Sequence, residues 1–206
     1  MRELSDSLPV SFDPEDFLSV REHIIFRLVA EREEIYRDRV YRPFFDLQII
    51  YQIAAGDCSL GKVSIPIREN LLKLWNMAES ELFAIAQKNT PRLYPSSLAS
   101  MSDVLGMEDC GLKMFVLTNT EGFYGASAIL YPGTLSDASR ILNGDFWVLP
   151  SSVHEVILVS SQISCTAAFL ESMVCSVNAQ HVAEQEVLGE HVYYYDSRKQ
   201  RLRTGS

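Results

Sequence analysis

Apolar residues recur at spacings of three and four from Glu79 to Asn89. That spacing places them on one side of an α-helix, so we predict a helix here. Pro91 disfavours a helical conformation at the residue before it, and we therefore expect the helix to end at Thr90. The same periodicity, with caps and a glycine stop, predicts further amphipathic helices over residues 134–143 and 166–178.

The second half of the chain alternates these helices with short apolar runs bounded by turn residues. We predict strands at Lys113–Thr118, Phe146–Leu149 and Glu155–Val159, and a terminal hairpin from Val192 into the basic end of the chain. The predicted fold class is α+β, with a mainly antiparallel or mixed sheet in the C-terminal half and packed amphipathic helices.

Four segments do not follow one hydrophobic period. The run from Phe44 to Ile53 has apolar residues on more than one face, and we predict a buried helix with Asp46 and Gln48 on its wet side. His23–Val29 is either a strand or the start of a helix, and Gly125–Tyr131 is either a strand or a buried helical turn. The charged run Glu31–Arg39 is typical of a solvated helical turn.

The size of the chain fits one domain. It has 206 residues, of which 47% are hydrophobic and 22% charged, which is an ordinary globular balance. We predict a single α+β domain over residues 1–206, with an extended lead-in at 1–15 and a basic terminal strand or tail at 198–206.

The formal charge of −9 argues against a general nucleic-acid or membrane-surface binder, because such a surface repels phosphate groups. A local basic patch exists near the C-terminus, at Arg198, Lys199, Arg201 and Arg203. One functional hypothesis is a nucleic-acid-associated factor that uses this patch. The alternative, which we favour, is that the patch belongs to a solvated terminal strand.

The four cysteines have no CxxC spacing, and no apolar signal segment precedes them in the sequence. Free thiols in a reducing compartment are the default for that pattern, so we predict a cytoplasmic protein. The histidines are scattered, and we predict neither a metal site nor a cofactor. No apolar run approaches the length of a membrane-spanning helix.

Candidate catalytic residues lie in the segment 149–155. Ser151, Ser152, His154 and Glu155 bring hydroxyls, an imidazole and a carboxylate together in sequence, as a small hydrolase would require. A GxSxG elbow is absent, and His154-Glu155 does not extend to an HExxH zinc motif. The alternative interpretation is a turn between strands, with His154 hydrogen-bonded to the main chain.

Candidate ligand-binding residues lie in the segment 89–95, where two prolines stiffen the chain. Asn89, Arg92 and Tyr94 present an amide, a guanidinium and a phenol, and an arginine can hold a carboxylate or phosphate through two hydrogen bonds. The alternative, which we favour, is a rigid loop in which Arg92 forms a structural ion pair.

Several segments resemble an uncharacterised bacterial family of unknown function that is common in anaerobic Gram-positive gut bacteria. They are NTPRLYP (89–95), MFVLTN (114–119), ILYPG (129–133), LPSSVHEVILV (149–159) and HVYYYD (191–196). Members of that family usually carry a further segment upstream, and we expect this chain to start where that segment ends. The resemblance implies no reaction, cofactor or catalytic residue.

The absence of a complete catalytic constellation leads to the main functional hypothesis. We predict a non-catalytic binding or accessory domain that acts through a protein partner or a small ligand. The alternative is a small hydrolase that uses Ser151 or Ser152 with His154. The sequence identifies neither the partner nor the oligomeric state.

Overall fold

The computed structural model describes residues 13–31, 38–58, 61–108, 111 and 113–205. Their α-helices and strands are, in chain order, α1 Phe17–Val20, β1 Ile24–Ala30, β2 Tyr41–Phe44, β3 Leu47–Cys58, β4 Gly61–Pro66, α2 Glu69–Leu74, α3 Glu79–Leu93, β5 Ser96–Ser100, α4 Met101–Leu105, β6 Met114–Asn119, α5 Thr134–Leu142, β7 Phe146–Ser152, β8 Glu155–Ser160, α6 Ala167–His181, β9 Tyr193–Asp196 and β10 Arg201–Thr204. Short 3-10 helices lie at Arg21–His23, Gly125–Leu130 and Glu184–Glu186.

The first sheet is antiparallel and centres on β3, which pairs with β1, β2 and β4. The prediction of a helix over Phe44–Ile53 is therefore wrong. Ile49, Tyr51 and Ile53 alternate along β3 and enter the core, because successive side chains of a strand point to opposite faces. The other face of the strand is buried as well, so the segment reads as a continuous apolar run.

The second sheet is also antiparallel, in the strand order β10-β9-β7-β8-β6-β5. It confirms the α+β class, the strands predicted in the C-terminal half and the terminal hairpin. The largest difference in a strand boundary is at β7, which continues through Pro150 to Ser152 instead of stopping at Leu149. The register of β7 on β8 shifts between Leu149 and Ser152, and such a bulge is where a strand tolerates proline.

Helix α3 continues past the predicted stop at Thr90 and ends at Leu93, with Pro91 inside its last turn. The missing N–H of Pro91 removes one helical hydrogen bond. The Thr90 hydroxyl donates to the carbonyl of Ala86 at 2.7 Å and accepts from the N–H of Phe26 at 3.0 Å. Contacts with β1 thus hold Thr90 in a conformation that the local sequence disfavours.

The main hydrophobic core contains residues of both sheets, among them Phe26, Tyr51, Leu117, Phe146 and Tyr193. The 3-10 helix Gly125–Leu130 takes the second of the two structures predicted for its segment, a buried helical turn. A smaller cluster lies between α6 and the second sheet. Burial of these apolar side chains is the main stabilising contribution to the fold.

Two predictions fall mainly outside the described residues: most of the lead-in 1–15 and most of the charged run Glu31–Arg39. The single domain over 1–206 stays a prediction. In the described part of the chain, every helix is too short or too polar to cross a membrane.

Candidate functional site

A narrow cleft opens where the end of α3, strands β1 and β4, and the turn after β6 meet. Its empty space of about 260 Å³ includes the open solvent at its mouth, and its enclosed part is narrow. Aromatic side chains form most of its walls, and two cations line it: Arg27 and Lys62. We refer to it as the Arg27 cleft.

Arg27 is buried, with 7% of its surface exposed. It lies in the middle of β1, on the face opposite to Phe26 and Leu28, which enter the core. Its guanidinium lies 3.9 Å from the ring centre of Tyr124 and 5.3 Å from that of Phe123. Such contacts attract a cation to the face of the ring.

In the part of the chain that the structure describes, no carboxylate compensates the charge of Arg27. None of the described carboxylates forms an ion pair with this guanidinium, whereas Arg42 and Arg92 each have one. Burial is the main cause that lowers the pKa of Arg27, and the positive charge of Arg39 lowers it further. Arg27 is thus a desolvated cation in the wall of a cleft, where its guanidinium is in hydrogen-bond contact with the side chain of Tyr124.

Asn119 shapes the turn that carries the two aromatic rings. Its side-chain oxygen accepts hydrogen bonds from the N–H groups of Glu121 and Phe123, at 3.1 and 3.4 Å. Its amide nitrogen donates to the carbonyl of Phe123 at 3.0 Å. The buried amide therefore spends its hydrogen bonds on the main chain and fixes the turn.

Tyr124 and Gly125 pack tightly against the β7–β8 hairpin. Tyr124 has φ of 52°, a left-handed conformation that costs free energy for a residue with a side chain. A Cβ added at Gly125 would lie 2.5 Å from the carbonyl oxygen of His154 and 2.6 Å from the main-chain nitrogen of Asn119. Only glycine permits this approach, which places the Tyr124 ring over Arg27.

His154 supports this arrangement from behind. Its Nδ1 accepts a hydrogen bond from the N–H of Tyr124 at 3.3 Å, and its Nε2 lies 3.3 Å from a carboxylate oxygen of Glu186. A nitrogen that accepts carries no proton, so the proton of the neutral ring lies on Nε2, which donates to Glu186. The predicted bond from His154 to the main chain is present.

Lys62 reaches the cleft because the β3–β4 hairpin is bent. The strand register shifts between Ala54 and Gly56, and Gly56 has φ of 108°, a backbone typical of a bulge. The ammonium of Lys62 lies 3.0 Å from the carboxylate of Glu121 and 5.5 Å from the ring centre of Tyr94. Lys62 and Glu121 thus stand at one side of the cleft as an ion pair.

Tyr131 adds a hydroxyl to the wall of the cleft. The residue is 4% exposed, and its oxygen makes no hydrogen bond of ordinary geometry to the described residues, while the side chain of Asn119 is close enough to lower the pKa of the phenol. Burial raises the pKa of this phenol well above its ordinary value of 10.0, so the group remains a neutral O–H donor. Buried hydroxyls without a partner are rare, because each costs about 1–3 kcal/mol.

The predicted hydrolytic residues do not assemble. The Ser151 hydroxyl donates to the side-chain oxygen of Asn178 at 2.7 Å, and Ser152 Oγ accepts from the main-chain N–H of His154 at 3.0 Å. Glu155 lies opposite Ser152 in the hairpin, with its side chain exposed. Neither serine is hydrogen-bonded to the imidazole, which nucleophilic catalysis requires.

The predicted ligand-binding residues divide between two sites. Asn89 donates to the carbonyls of Arg21 and Ile24, at 2.8 and 3.1 Å. Arg92 donates to the carbonyl of Glu22 at 2.7 Å and lies 3.4 Å from its carboxylate. Both line an open groove of about 640 Å³ beside α3. Of the three residues, Tyr94 alone lines the Arg27 cleft.

Arg27 and Lys62 were not among the residues that the sequence indicated. The available signal was one arginine within the apolar run Ile24–Ala30, a position where a charge is costly to bury. Among the described residues, no three His, Cys, Asp or Glu side chains are grouped closely enough to hold a metal ion.

Comparison with known proteins adds the family. The family model described as "Family of unknown function (DUF5688)" matches residues 5–197. No curated protein and no solved structure matches the chain. The expected resemblance to an uncharacterised domain is thereby confirmed, and the chain belongs to this family of unknown function.

Proposed function

We propose that this domain is a binding module that takes an anionic group of a ligand in the Arg27 cleft. The observation that carries the proposal is the buried guanidinium of Arg27, which has aromatic neighbours and no described carboxylate in ion-pair contact. The proposal specifies the broader prediction of a non-catalytic domain that acts through a ligand or partner.

The energetics of Arg27 favour a ligand over a purely structural role. Removing a charge from water costs several kcal/mol of free energy even after relaxation. Contact with aromatic rings stabilises the cation by about 2 kcal/mol and so offsets only part of that cost. A stabilising role would require a carboxylate partner, as Arg42 has in Glu79. A bound anion would supply that partner, because the planar guanidinium donates two parallel hydrogen bonds to a carboxylate or phosphate.

The hydroxyl of Tyr131 supports the same proposal. An anion between it and Arg27 would accept a hydrogen bond from the phenol and one or two from the guanidinium. Arg27 then gains a negatively charged partner in addition to its contacts with Tyr124. The hydrolase alternative has no comparable support, since Ser151 and Ser152 make their hydrogen bonds elsewhere.

Isothermal titration calorimetry with small anions tests the proposal. The probes are propionate and inorganic phosphate, added to the full chain in a low-chloride buffer. The variant is Arg27→Met, and the matched control is Arg203→Met, which removes an exposed arginine stacked over the ring of Tyr194.

We expect wild type and Arg203→Met to bind at least one of the two anions, and to bind it with equal affinity. Arg27→Met should bind that anion at least about tenfold more weakly, which corresponds to the loss of one charge-assisted hydrogen bond. Equal binding by Arg27→Met and wild type would overturn the proposal. If wild type binds neither anion, the proposal is overturned as well.

A further inference from the structure

The Arg27 cleft has a built-in limit on the charge of its ligand. Two cations line it, Arg27 and Lys62. The carboxylate of Glu121 lies 3.0 Å from the ammonium of Lys62, so one of the two positive charges already has a partner. Of these two cations, Arg27 is the one with no carboxylate of the described residues in ion-pair contact, and it contributes a single positive unit.

We propose that the ligand group is a carboxylate and that Glu121 sets this preference against phosphate. The inference rests on the proposed function and deepens it. A carboxylate carries one negative charge, which matches the single unpaired cation. A phosphate monoester or inorganic phosphate carries a charge of about −1.5 to −2 at pH 7. The carboxylate of Glu121 would repel the additional negative charge.

The hydrogen-bond donors of the cleft fit the same ligand. Arg27 offers its planar fork and Tyr131 its O–H, while the amide nitrogen of Asn119 already donates to the main chain. A carboxylate has two oxygens, and these donors satisfy both. A phosphate has three or four oxygens, and some of them would remain without a donor in a partly desolvated cleft.

The walls of the cleft indicate what the carboxylate is attached to. Tyr94, Phe123 and Tyr124 surround the cations, and rings of this kind pack against apolar or aromatic groups. The cleft is narrow and open to solvent on one side. The ligand is therefore a carboxylate that bears a short apolar group. A free carboxylic acid and the C-terminus of a peptide both present this chemistry.

The experiment measures binding of propionate and inorganic phosphate at pH 7 to the full-length wild type, Glu121→Gln and a control. The control is Asp137→Asn, which removes a surface carboxylate paired with Arg140 away from the cleft. We expect wild type and Asp137→Asn to bind propionate at least about tenfold more tightly than phosphate. Glu121→Gln should raise the affinity for phosphate about tenfold and that for propionate less than about threefold, because only the dianion meets the full repulsion.

A wild type that prefers phosphate, or a Glu121→Gln variant that changes both affinities equally, would overturn the inference and leave anion binding itself intact. Binding of neither anion would instead refute the proposed function. A third arm compares N-acetyl-dialanine with its C-terminal amide. Binding of the acid and not of the amide supports a carboxylate and names a chain end as a source; equal binding of the two counts against it.

Discussion

The main-chain N–H of Phe26 donates a hydrogen bond of 3.0 Å to the side-chain oxygen of Thr90, 64 residues further along the chain. β1 is an edge strand of the first sheet, and edge strands expose main-chain groups that invite pairing with other chains. Here side chains occupy them: Ser127 accepts from the N–H of Leu28 at 2.9 Å, and Asn89 donates to the carbonyl of Ile24. Polar residues outside the sheet thus complete it.

Thr90→Val tests this capping. Valine has nearly the shape of threonine but leaves the buried N–H of Phe26 without an acceptor, so we expect a loss of about 1–3 kcal/mol in the free energy of unfolding. Urea denaturation measures it, with Thr204→Val, an exposed position on β10, as the control. A loss no larger than that of the control would contradict the capping role.

Sequence periodicity predicts α3 correctly and β3 incorrectly, for a physical reason. Gln48 and Gln52 are four residues apart, and residues four apart share a face in a helix and in a strand alike. Spacing alone cannot separate the two structures when both faces are buried. The predicted end of α3 is too early because Pro91 is a signal in the local sequence. The hydrogen bond between Thr90 and Phe26 is a tertiary contact, and together with the bond to Ala86 it holds Thr90 in the helix.

The candidate site was much harder to predict. Tyr94 belongs both to the sequence prediction and to the Arg27 cleft. Arg27 and Lys62 line that cleft from different strands, and the strand of Lys62 follows a bulge that bends the β3–β4 hairpin. The rings over Arg27 depend on the turn that Asn119 fixes. Neither the bend nor the turn leaves a periodic pattern. The role of His154 was predictable, since a histidine between strands commonly bonds the main chain.

Glu79 should make the stability of the protein pH-dependent. Burial alone would raise the pKa of its carboxyl, but hydrogen bonds from Arg42, at 2.9 Å, and from Tyr51 outweigh this and lower it below 4.5. A carboxyl group whose pKa is lower in the folded state stabilises the fold at pH values above its unfolded-state pKa. That contribution is lost as the pH falls through its folded-state pKa. We expect Glu79→Gln to cost about 1–3 kcal/mol near pH 7 and less near pH 3.

Chemical denaturation of wild type and Glu79→Gln at both pH values measures this difference. A control is Glu155→Gln, because Glu155 is exposed on β8. A destabilisation that stays constant between the two pH values would show that the ion pair does not carry the effect.

His191 and Asp46 join the β2–β3 turn to the start of β9. The hydrogen bond that His191 Nδ1–H donates to Asp46, at 2.9 Å, is the main cause that raises the pKa of His191 above 6.5. A histidine whose pKa is higher in the folded state stabilises the fold fully at pH values below its unfolded-state pKa. That contribution is lost as the pH rises through its folded-state pKa.

NMR titration of the His191 ring tests the pair. We expect a midpoint above 6.5 in wild type and a lower midpoint in Asp46→Asn, because the charge and the hydrogen-bond acceptor are both changed. The matched control is Asp137→Asn, whose carboxylate belongs to the Arg140 pair. Identical midpoints in wild type and Asp46→Asn would refute the assigned cause.

Gly125→Ala tests the close contact behind the Tyr124 ring. The new methyl group would overlap main-chain atoms of His154 and Asn119, which cannot swing aside as a side chain can. We expect a loss of about 3 kcal/mol or more in thermal or urea unfolding. The control is Gly133→Ala, where φ is +84° and the surroundings are empty, so that only backbone strain of about 1–2 kcal/mol applies. Equal losses in the two variants would contradict the packing described here.

The most direct test of the Arg27 cleft is the free energy of unfolding of wild type and Arg27→Met, each with and without propionate. Methionine fills a similar volume and removes an uncompensated buried charge, so without propionate the variant should be as stable as wild type or more stable. Propionate at about 100 times its Kd should stabilise wild type by about 2.7 kcal/mol and leave Arg27→Met unchanged. A variant that is strongly destabilised alone, yet gains as much from propionate as wild type does, would show that Arg27 is a structural residue and contradict the account.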